Sequence, residues 1–166
     1  MFVTFLPIRI SQHVVFCITR SKNDNTVVYR ARTNDNKFVE SDAIEVYWMG
    51  FSRKDPHEVD PSKLRDDLNW MEKKMAYGAT ATKDHRGEPD EFEVKLVAVP
   101  HLKVTMKKDA TGRPRLYAVV GERNCFIVRV YVLAKENMIG LPKVIHVNIH
   151  GIDIETGEEI VEQITP

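Results

Sequence analysis

The chain has little of what most quickly identifies a protein. Its 166 residues hold only two cysteines, Cys17 and Cys125, with no CxxC spacing, so neither a disulfide framework nor a thiolate zinc site organises it. Each cysteine stands in an apolar β-like run, where a small reduced thiol is at home; one disulfide between them is the alternative. No apolar run approaches the ~18 residues a membrane span needs. Charge of neither sign dominates: 24 Lys and Arg face 24 Asp and Glu, which argues against a protein that relies on bulk attraction to nucleic acid or anionic membrane. Gly and Pro number eight each, too few for collagen or low-complexity disorder. Among enzyme motifs there is no GxGxxG, P-loop, GxSxG or HExxH. Serine is scarce and none sits in a nucleophile elbow.

The N-terminal stretch from Met1 to Ile10 is apolar, but it has no basic leader and is broken by Pro7 and Arg9, so it reads as an edge strand or arm over 1–12 rather than a secretion signal. No lipidation signal stands at either end. A cytoplasmic location is the expectation. At this length a single domain over 1–166 buries roughly 70% of its unfolded surface and needs no staples.

What is present is mostly period two. Runs over 13–19, 27–33, 43–49, 91–99, 102–107, 115–120, 126–133, 144–150 and 159–164 alternate or are β-branched. Turn residues at Asp109–Gly112, Gly121–Asn124 and Glu155–Glu158 separate several of them. The run over 126–133, apolar save for Arg129, should be central and covered on both faces. Such spacing predicts a mainly β fold, an antiparallel sandwich or partly closed barrel of about eight to ten strands. One amphipathic helix, about 61–77, interrupts it. Asp60 caps it, Pro61 begins it, Leu64, Leu68, Met71 and Met75 form its apolar stripe, and Gly78 follows it. The helix should pack on the sheet.

Four groupings can carry chemistry, each with a plain structural alternative. The loop Arg20-Ser21-Lys22-Asn23-Asp24-Asn25 mixes cations with amides and can cradle an anion; otherwise it is a solvated turn. Tyr47, Trp48, Trp70, Glu72 and Tyr77 bring aromatics beside a carboxylate, either as pocket walls with an acid–base residue or as the packing of helix on sheet. His146 and His150 share a strand face, with His13, His101 or Asp153 as further ligands if a metal binds; otherwise they line a half-exposed face. Arg30 with Arg32, Lys103 with Lys107 and Arg113 with Arg115 alternate in sequence and make a cationic stripe if their strands are neighbours, or else a solvated outer face. Little aromatic interleaving accompanies them, and nucleic acid is not the expected partner.

The segments Phe16–Asn23, Asn25–Tyr29 and Val46–Trp48, with Glu72–Gly78, Gly140–Lys143 and Gly151–Gly157, resemble an uncharacterised family known as domain of unknown function 4833. The resemblance spans about Phe16 to the end and implies one compact domain. It brings no activity, ligand or catalytic residue. Many bacterial members look exported, and this chain departs from them in having no signal.

Three functions follow as expectations. The first is a non-enzymatic domain that takes a small anionic or amphipathic ligand without a cofactor, with Arg20, Lys22 and Asn23 as anchors and Tyr29, Trp48 and Tyr77 as walls. The second is a protein-interaction module using an exposed strand edge or the basic face. The third is an acid–base hydrolase or isomerase using Glu72.

Overall fold

A computed structural model describes residues 13–21, 26–49, 65–86, 90–136, 138–139 and 142–166. The expected arm over 1–12, the anchors Lys22 and Asn23, and the cap Asp60 with Pro61 lie outside those residues. The chain is mainly β. In order it runs β1 (Val14–Arg20), β2 (Thr26–Ala31), β3 (Thr33–Asn34), β4 (Lys37–Phe38), β5 (Ile44–Met49) and β6 (Arg65–Asp67). A short helix α1 (Trp70–Glu72) passes directly into a π-type turn (Lys73–Tyr77). Seven strands follow: β7 (Ala79–Lys83), β8 (Phe92–Leu96), β9 (Val104–Lys108), β10 (Pro114–Val120), β11 (Arg123–Glu136), β12 (Pro142–Asp153) and β13 (Glu159–Ile164).

Nine strands form one path, β6-β5-β2-β1-β11-β10-β9-β8-β7, and β12 and β13 extend the sheet from the other edge of β11. The strands are antiparallel with one exception to the expectation, the parallel pair β1–β11 (Cys17 opposite Arg129). The length of β11 explains the join. Its first residues pair with β10, and further along the same edge pairs with β1. β11 is therefore central as expected, but Arg129 and Tyr131 keep its outer face half-exposed. The path curls into a half-barrel whose ends, β6 and β7, are not paired: among the described residues no ladder joins β7 to β6 or to β5.

Sequence period places the core. Phe16, Ile18, Val27, Tyr29, Phe92 and Leu96 point inward with Met106, Leu116, Ile127 and Ile149, all buried. Phe16 stacks on Tyr29 with centroids 4.1 Å apart, and Phe38 meets Phe92 edge-on at 5.4 Å. Both cysteines are free, and burial pushes both thiols up. Asp35 and Asn36, both at positive φ, turn the β3–β4 hairpin, whose strands of two residues are too short to show a period in the sequence.

The helix begins later than its apolar stripe suggests. Arg65–Asp67 pairs with β5 (Tyr47 opposite Asp67), which holds that segment extended. Helical turns start only after Asn69, whose side chain accepts from the Glu72 N–H at 2.8 Å while Glu72 accepts from the Asn69 N–H at 3.0 Å. The expected stripe is split accordingly: Leu68 is buried, but Met71 and Met75 are exposed.

The β9–β10 turn supplies an acid-stability prediction. Desolvation would raise the Asp109 carboxyl, but the Thr111 hydroxyl, the Arg113 and Thr111 N–H groups and Arg115 outweigh it and hold it at about 2. A carboxyl depressed by folding stabilises above its unfolded value and loses that contribution as pH falls through the folded one. Asp109→Asn should therefore flatten the fall in stability between pH 4 and pH 2 by about 1 kcal/mol after solvent screening. Urea melts at both pH values would measure it; equal slopes in the two proteins would contradict it.

Candidate functional site

Four of the six expected site residues meet at one end of the half-barrel. Arg20 closes β1 on its inward face, Trp48 stands near the end of β5, Tyr29 is on β2, and Tyr77 ends the π turn. Arg20 donates from Nη1 to the Tyr77 hydroxyl at 3.1 Å, and its guanidinium lies 4.7 Å from the Trp48 ring centroid. Trp48 meets Tyr77 edge-on at 5.2 Å, and its Nε1–H donates to Glu72 Oε2 at 2.8 Å. Tyr29, fully buried, donates its hydroxyl to the Tyr77 carbonyl at 2.7 Å, and burial raises its phenol well above the usual range.

This knot is a clasp. Each polar atom named faces another residue of the group, and both Glu72 carboxylate oxygens accept hydrogen bonds, one from Trp48 and one from the helix cap. Among the described residues no tyrosine hydroxyl or histidine ring nitrogen bonds the Glu72 carboxylate, whose partners are Trp48 and the Asn69 N–H. The clasp ties the helical segment to the mouth of the barrel. At the opposite end an ion pair between Lys83 of β7 and Glu40, before β5, spans the same gap.

Between these two ties lies an open cleft of about 920 Å³, along the outer edge of β7 and the first half of β5, before β5 pairs with β6. Ile44, Val46, Val94, Leu96 and Leu102 give it an apolar floor, and Trp70 stands over it from α1. Its rim carries Lys73, Lys74, Lys95 and Lys103, all exposed, and no carboxylate pairs with them among the described residues. Asp67 and Glu93 are the acids left on the rim. Asp42 and Glu45 also border it, but Arg32 binds both, and Arg30 reaches Glu45 at 3.1 Å. None of Arg20, Tyr29, Trp48 and Tyr77 lines the cleft. The one sequence signal for its rim is the Lys73-Lys74 pair, and two lysines there equally suit the negative end of a helix.

The other groupings disperse. His146 and His150 lie four residues apart on β12, roughly 13 Å at strand rise, too far to share one ion. His150 instead contacts Glu159 at 2.8 Å and Arg129 at 3.3 Å. No group of three or more metal-ligating side chains converges among the described residues. The cationic stripe is broken by partners: Arg30 and Arg32 converge on Glu45, Arg115 holds Asp109 at 3.2 Å, and Lys107 lies 3.8 Å from Glu91. Among the described residues no helix is long and apolar enough to cross a membrane.

Comparison with known proteins gives one match. The family model described as Domain of unknown function (DUF4833) covers residues 16–163. No curated protein and no solved structure matches.

Proposed function

The chain belongs to the DUF4833 family, and on its geometry we propose that it is a non-enzymatic binding domain for a small amphipathic anion, held in the cleft between β5 and β7. The observation that carries this reading is an apolar floor rimmed by four lysines without ion-pair partners among the described residues. An acyl or ring body removes apolar area from water on Ile44, Val46 and Leu102, and a carboxylate or sulfonate head meets Lys73, Lys74 or Lys103. The clasp beneath the helix positions Trp70 and the two lysines over the cleft. Arg20, Trp48 and Tyr77 act in this reading as supports for the binding residues.

Dodecanoate is a suitable probe, with dodecyltrimethylammonium as its cationic counterpart. Trp70 is one of only two tryptophans and stands at the cleft, so its fluorescence reports occupancy. Dodecanoate should bind and the cation should not. Lys73→Glu with Lys74→Glu should weaken dodecanoate about fivefold, the equivalent of ~0.5 kcal/mol per exposed charge. Equal binding of the two surfactants, or indifference to the double reversal, would overturn the reading.

A second reading has its own observation. The outer edge of β13 is unpaired among the described residues, a ladder that an extended peptide can join. Val161→Pro on β13 would abolish that association and leave dodecanoate binding intact.

A further inference from the structure

At the other end of the barrel, three separate segments enclose a second cavity of about 680 Å³: the start of β1 at His13, the β3–β4 hairpin and the β9–β10 turn. Its lining differs in kind from that of the cleft. Lys108, Arg113 and His13 line it with Thr33, Thr111 and Asn36, and among the described residues no carboxylate does. In a chain with 24 acids and 24 bases, that asymmetry is a property of the site and not of the composition. We propose that this basin binds a phosphate group, free or as a monoester.

Several features support it. Asp109, the acid of the β9–β10 turn, is turned to other work: its carboxylate accepts from the Thr111 hydroxyl, from the Thr111 and Arg113 N–H groups and from Arg115. Arg113 is thereby left without a carboxylate partner among the described residues. It is partly desolvated beside the like charge of Arg115, which together lower its affinity for its own proton, with Asp109 offsetting part of this. A bound anion would relieve that repulsion. Lys108 bonds a neutral acceptor, the Asn36 carbonyl, and lies 5.7 Å from the Phe38 ring, and no acid among the described residues compensates its charge. The Lys108–Asn36 contact ties the two turns together and fixes the width of the mouth. A tetrahedral oxyanion has enough acceptor oxygens to meet an Arg fork, an ammonium and the Thr33 hydroxyl at once, the Thr111 hydroxyl being already given to Asp109. The long apolar ligand of the cleft has no matching floor here.

The test is calorimetric titration of the whole protein with inorganic phosphate and, separately, with glycerol phosphate, each at ionic strength matched with chloride. Phosphate should bind where chloride does not, and Arg113→Gln and Lys108→Gln should each weaken it at least tenfold. Arg113 is exposed, so its variant should fold, and an unchanged melting temperature would show it. Tighter binding of glycerol phosphate would assign an ester, and equal binding free phosphate. The Lys73→Glu/Lys74→Glu protein should bind phosphate normally, which separates this basin from the cleft. Binding that ignores Arg113 and Lys108, that chloride matches, or that disappears only in the cleft variant would overturn the proposal.

Discussion

Gly78→Ala should lower the melting temperature by roughly 6–12 °C, at ~2–4 °C per kcal/mol for a chain of this size and a cost of about 3 kcal/mol. Backbone conformation is not the reason. Gly78 has φ −61° and ψ 156°, which any residue adopts. The obstacle is close approach. A Cβ there would lie 1.9 Å from the Lys73 carbonyl oxygen and 2.8 Å from its carbon, and both are backbone atoms that cannot rotate away. Nor can Gly78 retreat, because its carbonyl accepts from the Val97 N–H at 2.9 Å and so fixes it to the end of β8. Relief therefore requires the Lys73–Tyr77 turn to unwind, and that turn carries Tyr77 into the clasp and Lys73 and Lys74 over the cleft. Amide exchange should accelerate over 70–78 in the variant well before the core strands respond. Calorimetry with exchange mass spectrometry checks both expectations. An unchanged melting temperature would mean that the Lys73 carbonyl does not occupy this place.

Much of this was legible in the chain, for reasons that differ by element. β9, β10 and β13 emerged almost to the residue because one face is the drier of the two, buried in β9 and β10 and half-buried in β13, which writes period two into the sequence. β3, β4 and β6 did not. Two or three residues are too few for any period, and Arg65–Asp67 is held extended by β5 against a helical pattern that continues through it. The parallel join of β1 to β11 is non-local and leaves no local signature. At the site, the gathering of Trp48, Glu72 and Tyr77 was legible as a set of aromatics around a carboxylate, and Arg20 as a cation of the polar loop over 20–25, whereas it is the last residue of β1. Whether such a set is a pocket or a plug depends on which atoms face each other, and only the fold decides that. The cleft was hidden because its rim comes from a helix end, a strand and a loop distant in sequence.

Trp48→Ala should be the more informative large change, costing about 3 kcal/mol for a large, partly buried ring. It removes the face over which Arg20 lies, the edge packing against Tyr77 and the N–H that satisfies one Glu72 oxygen. Trp48→Phe keeps most of the apolar area and loses the N–H, so it should cost only about 1–2 kcal/mol, the penalty of one unsatisfied half-buried acceptor. Combined with Glu72→Gln, the phenylalanine variant should show less than additive loss, since each change breaks the same bond. A pocket wall and a clasp make opposite predictions for these proteins. If Trp48 were a wall, the alanine variant would lose its ligand with its melting temperature almost unmoved. As a clasp, the phenylalanine variant should melt lower and still bind dodecanoate within about threefold of the parent, less than the ~0.7 kcal/mol at which a lost direct contact begins to show. Trp70, the single tryptophan remaining in either variant, gives the binding signal free of any contribution from position 48. Poor binding at an unchanged melting temperature would move the ligand onto the knot of Arg20, Trp48 and Tyr77 and remove the case for the cleft.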